Sequence, residues 1–131
     1  MDETTLFNGI EHVTIAAKDP KALATWYRDT FGFRIAHEST KSLTTFVGLG
    51  GSLVEIIEAT NVERLPCGEK DPGLRHLAIS VTDIHKAYEN LKCKNVAFKS
   101  EPMEKDGVWI VLLKDPENNL LHLIERVKSL S

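Results

Sequence analysis

The chain has 131 residues, 42% of them hydrophobic and 27% charged, and a formal net charge of -3. A chain of this size can bury a sizeable core as one domain, and its charge balance gives no electrostatic reason to expect nucleic acid as a partner. The two cysteines, Cys67 and Cys93, lie outside any Cys-x-x-Cys or zinc-finger spacing, which argues against a disulfide or a thiolate metal site.

The N-terminus, "MDETTLFNG", is acidic and lacks an apolar stretch of signal-peptide length. No run in the sequence approaches the roughly 18 apolar residues that a membrane-spanning helix needs. We therefore expect a cytoplasmic protein that does not act at a membrane.

The first half of the chain is predicted to fold in the order β-α-β-β-β. The β-prone segment "IEHVTIAA" ends shortly before Asp19, which with Pro20 forms a typical helix N-terminus. Apolar residues at helical spacing follow, and Gly32 is the expected end of the helix. Three short β-prone segments come next, and their sequences are "FRIAHE", "LTTFVGLG" and "SLVEIIEA".

The second half repeats this order after a stretch rich in turn-forming residues. The strand "LRHLAISV" precedes Asp83, a second helix cap, and the strands "VAFKSE", "VWIVLLKD" and "LLHLIERV" follow the helix. His12 precedes Asp19 by the same interval as His76 precedes Asp83, and "EIIE" matches "HLIE". We predict an α+β fold in which modules 10–58 and 74–125, joined by linker 59–73, form one domain over 1–131.

Strand alternation places unusual polar side chains on one face of each module. His12 shares a face with small residues, and so does His76, whereas Glu55 and His122 each lie on an otherwise apolar face. A carboxylate on such a surface is costly unless a cation, a donor or water satisfies it. Imidazole nitrogens and carboxylate oxygens suit divalent metals. The candidate metal ligands are therefore His12, Glu55, His76 and His122.

Other titratable side chains are given no such role. Glu58 and Glu125 point to the opposite face of regular strands, and we interpret them as solvated charges at strand ends. A β-bulge would reverse that assignment. His37 and His85 lie outside the repeated pattern, and His85 is expected on a helix surface.

These segments resemble the vicinal oxygen chelate superfamily, which contains glyoxalase I, extradiol dioxygenases and bleomycin resistance proteins. The resemblance extends over "IEHVTIAAKDPKALATWYRDTFGFRI", "LVEIIE", "LRHLAISVTDI" and "VLLKDPENNLLHLIE". It implies paired βαβββ modules that curl into a cup-like mixed sheet, with metal ligands on the first and last strands of each module. His12, Glu55 and His76 match the glyoxalase I positions, whereas His122 stands where that enzyme normally carries a glutamate.

The resemblance implies a metal-dependent lyase or isomerase that acts on a small oxygenated metabolite through a metal-stabilised enolate. The metal would be a divalent ion of zinc, nickel, cobalt, manganese or iron. Glu55 is the candidate ligand and base, and His122 is either a fourth ligand or a second proton carrier. Both are therefore also candidate catalytic residues.

Two alternatives remain open at the level of sequence. A non-haem iron dioxygenase commonly uses two histidines and one carboxylate, a count that this set meets if one histidine stays uncoordinated. A non-catalytic small-molecule binding or resistance protein would use only the apolar cup. We expect a homodimer, because sheets with exposed edges commonly pair with a second copy. The metal site could form within one chain or across that dimer.

Overall fold

The computed structural model describes residues 6–61, 63 and 68–130. Cys67 and part of the predicted linker lie outside the described residues. The chain divides into two compact units, Met1–Val62 and Glu63–Ser131. The placement of both modules in one domain stays a prediction.

The first unit folds as one mixed sheet with one helix. Its elements in chain order are β1 (His12–Ala17), α1 (Pro20–Phe31), β2 (Arg34–Glu38), β3 (Thr45–Leu49) and β4 (Ser52–Glu58). The strand order is β1-β4-β3-β2, with β1 parallel to β4 and the other pairs antiparallel. This is the predicted β-α-β-β-β order, and the neighbouring position of β1 and β4 joins the two ends of the module.

Helix α1 begins and ends as its sequence predicts. The Asp19 side chain accepts a hydrogen bond from the Ala22 backbone N–H at 3.0 Å, and Pro20 occupies the first turn. Gly32 ends the helix with a φ of 82°, a left-handed conformation that costs glycine little. These caps fix the length of the helix, which packs against β3 and β4. The side chains of His12 and Glu55 lie on the opposite face of the sheet.

The helix-facing side of this sheet forms an apolar core. Buried side chains from alternate strand positions pack beneath α1, which contributes Leu23, Ala24 and Tyr27. The buried strand residues are Ile15, Ala17, Val47, Val54 and Ile56. Their alternation confirms the predicted parity of β1 and β4, because the intervening residues include His12 and Glu55.

The second unit contains one strand more than the sequence analysis predicted. Its elements are β5 (Leu77–Ser80), α2 (Ile84–Lys92), β6 (Ala97–Phe98), β7 (Met103–Lys105), β8 (Val108–Lys114) and β9 (Leu120–Arg126). The strand order is β5-β9-β8-β6, and β7 pairs with β8. The prediction of four strands is therefore wrong for this sheet. Strand β7 forms because Asp106 and Gly107, with φ values of 53° and 80°, make a tight turn into β8.

Strand β5 is also shorter than predicted, since it begins at Leu77 and leaves His76 just before it. It pairs in parallel with β9, with Ala78 opposite His122. Strands β8 and β9 pair without a register shift in the described ladder, with Leu112 opposite His122. The regular ladder keeps His122 and Glu125 on opposite faces, as the alternation predicts.

The interpretation of Glu125 as a solvated charge at a strand end is wrong. Its carboxylate is half-buried and accepts a hydrogen bond of 2.8 Å from the Ile84 backbone N–H, at the first residue of α2. It is therefore a structural cap rather than a solvated charge. Glu58, at the matching place in the first unit, is exposed, and the residue that matches Ile84 there is Pro20, which has no N–H to donate.

Among the described residues, the structure has no helix that is both long and apolar enough to cross a membrane.

Candidate functional site

The first unit brings His12 and Glu55 together on the face of the sheet opposite α1. Thr14 and Glu55 are direct cross-strand partners on β1 and β4, and His12 lies two residues before Thr14 on the same face. The Nε2 atom of His12 lies 3.5 Å from the Oε1 atom of Glu55, and the Thr14 hydroxyl donates a hydrogen bond of 2.8 Å to that oxygen. Parallel pairing of the first and last strands of the module thus assembles this pair.

A second carboxylate orients the His12 ring. The Nδ1 atom of His12 lies 2.8 Å from Glu11 Oε1. Because an ionised carboxylate can only accept, this bond places a proton on Nδ1. In the neutral ring, Nε2 then carries a lone pair and faces Glu55. A histidine that donates through one nitrogen to a carboxylate while the other nitrogen stays free is the usual arrangement of a metal-binding imidazole.

The facing atoms are two donors of the kind that a cation takes. A neutral His12 presents a lone pair at Nε2, and Glu55 Oε1 is also an acceptor, so neither atom can satisfy the other at 3.5 Å. The side chains retain 31% and 23% of their exposure, which leaves them accessible from one side. A divalent metal ion or a proton between them removes the repulsion, and nitrogen with oxygen is a suitable donor pair for the metal.

An aromatic ring supports this pair. Phe46 on β3 is the cross-strand partner of Glu55, and its ring meets the His12 ring edge-on at a centroid distance of 5.3 Å. His37 on β2 is opposite Phe46, with ring centroids 6.4 Å apart. The surface beside the pair is thus apolar, which favours a ligand with an apolar part.

The second unit brings His76 and His122 together. Their rings are stacked, with centroids 3.6 Å apart and an angle of 10° between the planes. Burial, and secondarily the nearby His76, lower the pKa of His122 below its ordinary value, while Glu69 acts in the opposite direction. Burial and a second imidazole both disfavour the charged form, so His122 keeps a ring nitrogen lone pair down to lower pH than an ordinary histidine.

These two histidines lie at one end of an open cleft of about 900 Å³ in the second unit. Its floor is the apolar side of β8, formed by Val108, Ile110 and Leu112. Charged side chains near β7, Lys105 and Asp106 among them, also line it. A cleft with an apolar floor and polar groups at one end is typical of a small-molecule site.

The structure thus places the four predicted ligands as two pairs, one within each unit. In neither unit do the described residues gather three or more histidine, cysteine, aspartate or glutamate side chains around one point. Each pair supplies two donors of the kind that a divalent metal uses. His37 is exposed on β2, and His85 is exposed on α2, where its ring contacts Trp109 edge-on at 4.7 Å.

Sequence reasoning missed two residues that act on the His12 pair. Thr14 is one of the small residues on the His12 face, and its hydroxyl can donate to an acceptor on the strand that pairs with β1. Glu11 directly precedes His12, and adjacent strand residues normally point apart, so alternation gave no signal for their contact. Only the pairing of strands shows which carboxylate the hydroxyl reaches.

Sequence comparison gives one family match over most of the chain. The family described as the Glyoxalase/Bleomycin resistance protein/Dioxygenase superfamily matches residues 9–123. The chain is 27% identical to "Lactoylglutathione lyase GLX1" of Arabidopsis thaliana in an alignment 122 positions long, which covers 88% of this chain and 43% of that protein. It therefore spans less than half the length of this relative.

Solved structures share the fold at low sequence identity. Lactoylglutathione lyase from Agrobacterium tumefaciens matches with a TM-score of 0.70 and 17% identity, covering 92% of this chain and 95% of that one. TnmS3, an antibiotic binding protein from Streptomyces sp. CB03234, matches with a TM-score of 0.74 and 14% identity, covering 92% and 98%. The same fold therefore accompanies a named lyase and a named binding protein.

Proposed function

The chain belongs to the Glyoxalase/Bleomycin resistance protein/Dioxygenase superfamily, and on this premise we propose that it is a glyoxalase-type, metal-dependent lyase or isomerase of a small oxygenated metabolite. The observation that carries the proposal is the His12–Glu55 pair. Two acceptor atoms face each other at 3.5 Å while Glu11 holds the ring proton on the far side. This arrangement favours a bound cation between them.

We assign the metal ligands to His12, Glu55, His76 and His122. Each unit offers one pair of these side chains. A bound divalent zinc, nickel, cobalt, manganese or iron ion supplies Lewis acidity, which lowers the free energy of negative charge on substrate oxygens. The three histidines and one carboxylate match the nitrogen and oxygen donors that these ions take.

The protein's own groups then move the proton. The Glu55 carboxylate accepts a proton from the carbon beside the substrate oxygens, while the Thr14 hydroxyl, 2.8 Å from Oε1, holds that oxygen in place. His122 is either the fourth ligand or the second proton carrier, and burial lowers the pKa of its ring, which keeps that ring neutral near pH 7.

Metal content tests the ligand assignment. Protein purified without chelator or nickel affinity resin is analysed by mass spectrometry beside His12→Ala, His76→Ala and the control His85→Ala, whose ring lies on the α2 surface. We expect near-stoichiometric metal in the parent and the control and a loss of metal in both other variants. Protein that stays unloaded after incubation with these ions contradicts the proposal.

Proton transfer tests the role of Glu55. Glu55→Gln keeps the size of the side chain and an oxygen for Thr14 but removes the base. We expect solvent deuterium exchange at the substrate carbon to fall at least about a hundredfold, the usual range for a lost general base. Full exchange in this variant would show that another group takes the proton.

A second candidate is a non-catalytic binding protein. The open cleft in the second unit, with its apolar floor of Val108, Ile110 and Leu112, favours this candidate because it offers burial to an apolar molecule without requiring chemistry. The similarity to a protein named as antibiotic binding fits it as well. Under this alternative, removal of metal leaves ligand affinity unchanged, whereas the enzyme loses affinity for substrates with two neighbouring oxygens.

A homodimer forms part of the proposal. Strands β1 and β5 lie at the edges of their sheets. Large apolar side chains just before each of them are exposed, with Ile10 at 88% and Leu74 at 90%. Such edges and side chains are commonly covered by a second copy. Light scattering after size exclusion should give twice the monomer mass, and a monomer at micromolar concentration would contradict it.

A further inference from the structure

Two rows of side chains cross the first unit's sheet on the face that carries His12 and Glu55. Direct cross-strand partners share a face, so the ladder defines each row. The first row runs from β1 to β2 through His12, Leu53, Gly48 and Arg34. The second runs through Thr14, Glu55, Phe46 and His37. The His12–Glu55 pair and Arg34 therefore lie at opposite ends of one surface.

Arg34 lies flat across the sheet because Gly48 has no side chain. A Cβ atom built at Gly48 would lie 2.6 Å from the Arg34 Cζ atom and 2.7 and 2.9 Å from its terminal nitrogens. The guanidinium thus occupies the volume of the missing side chain. One of its terminal nitrogens donates a hydrogen bond of 3.1 Å to the Gly50 carbonyl oxygen. These contacts hold the guanidinium over β3, which is one strand closer to His12 than β2, the strand that carries Arg34.

This seated guanidinium is open to a ligand. Arg34 is exposed, and it forms no ion pair with another residue that the structure describes. The Gly50 bond uses one donor, whereas a guanidinium has five. Arginine with free donors in a fixed plane binds carboxylate or phosphate oxygens in pairs.

We propose that Arg34, seated on Gly48, binds an anionic oxygen group, carboxylate or phosphate, at the far end of the substrate. At roughly 5 Å per strand, the charge over β3 lies about 5 Å from β4, which carries Glu55, and about 10 Å from β1, which carries His12. Leu53 and Phe46 form the half-buried floor between them. The substrate class is thus a small acid with two neighbouring oxygens at one end, an apolar middle and an anionic group at the other end. The requirement for neighbouring oxygens rests on the proposed function.

A matched pair of ligands tests the anion site. Suberic acid monohydroxamate presents two neighbouring oxygens at one end and a carboxylate after a hexamethylene spacer. Its methyl ester replaces that carboxylate with a neutral group of similar size. Dissociation constants are measured by calorimetry on nickel-loaded protein. We expect the acid to bind about tenfold tighter than the ester, since a charge-assisted bond replaces a neutral one.

Two variants and one control assign this preference to Arg34. Arg34→Gln removes the charge, and Gly48→Ala keeps it but displaces the guanidinium, because only the flexible end of Arg34 opposes the new Cβ. Both should reduce the acid preference to about one. Lys41→Gln removes a positive charge from an exposed residue of the same unit and should keep the tenfold preference. An unchanged preference in Arg34→Gln overturns the proposal.

A measurement without metal separates this proposal from the proposed function. Metal-free protein is titrated with inorganic phosphate and, in parallel, with acetate at constant ionic strength, while NMR follows the Arg34 Nε–Hε signal. A saturable shift that Gly48→Ala abolishes supports the anion site, and the tighter anion identifies the favoured group. A signal that does not move overturns it. Failure of both hydroxamates to bind nickel-loaded protein instead counts against the metal centre alone.

Discussion

The Nε2 atom of His12 and the Oε1 atom of Glu55 face each other at 3.5 Å across two parallel neighbouring strands. Glu11 binds the opposite ring nitrogen, and the Thr14 hydroxyl binds the same Glu55 oxygen. Both supporting contacts limit rotation of the facing groups. The orientation of both groups is therefore fixed in the way that the proposed metal site requires.

Removal of the Thr14 hydroxyl should weaken this pair. Thr14→Val keeps the shape of the side chain but leaves Glu55 Oε1 without its 2.8 Å donor. We expect affinity for zinc or nickel to fall about tenfold, as is common when a group that orients a metal ligand is lost. Competition with a chromogenic chelator measures it. Thr14→Ser, which retains the hydroxyl, is the matched control, and equal affinities in all three proteins would contradict the prediction.

The stacked pair in the second unit predicts a pH effect on the metal-free protein. Burial and His76 lower the pKa of His122 in the folded state, whereas the unfolded chain titrates near the ordinary value of 6.5. The unfolded state therefore binds more protons below this pH, and the folded protein loses stability as the pH falls. We expect His122→Gln to show a smaller fall in Tm between neutral and mildly acidic pH. An unaltered fall would contradict this linkage.

The two causes of the His122 pKa shift are separable by NMR titration of its ring protons. His76→Phe keeps a stacked ring but removes the second positive charge. Because burial is the larger cause and His76 the smaller one, the pKa of His122 should rise in this variant yet stay below the ordinary histidine value. A rise to that value or above would show that the neighbouring charge dominates.

The cap formed by Glu125 predicts an asymmetry between the repeats. Glu125→Ala removes the acceptor of the Ile84 N–H and should lower the free energy of unfolding by about 1 kcal/mol. Glu58→Ala is the matched change in the first unit, where Pro20 offers no N–H, and it should stay within about 0.5 kcal/mol. Urea denaturation measures both. Equal losses would assign the effect to strand charge rather than to capping.

The end of α1 predicts a backbone effect at one glycine. Gly32 has a φ of 82°, and a Cβ there would meet no atom within 4 Å, so Gly32→Ala tests conformation alone. We expect a loss of about 1 kcal/mol. Gly51 also has open space around a Cβ but no left-handed φ, and Gly51→Ala should change stability little. Thermal unfolding of both variants checks this, and similar Tm values for the two would contradict it.

Much of the fold is predictable from this sequence. The caps at Asp19 and Asp83, the stop at Gly32 and the strand alternation are all local features, and the structure confirms each. The Asp106–Gly107 turn is a local signal for strand β7. The short "MEK" segment was not predicted as a strand because its residues have little β propensity. The extra strand forms because it pairs with β8.

Arg34 shows where local pattern fails. Arg34 and His37 are an odd number of residues apart, so alternation places them on opposite faces. A register shift between Ile35 and His37 puts both on the His12 face. The residue types in "RIAHE" do not predict that register shift, because it arises from the pairing of β2 with β3. The volume that Gly48 leaves for the guanidinium is likewise set by a neighbouring strand.

Consecutive residues alone specify the helices, the strands other than β7, their repeated order and the face on which His12, Glu55 and His122 project, because helix and strand periods are local properties. Which side chains meet depends instead on how the strands pair in the folded protein. Pairing of β1 with β4 and of β5 with β9 joins residues distant in sequence, and it created the His12–Glu55 and His76–His122 pairs. Such pairing depends on the packing of the whole module, which no short segment encodes.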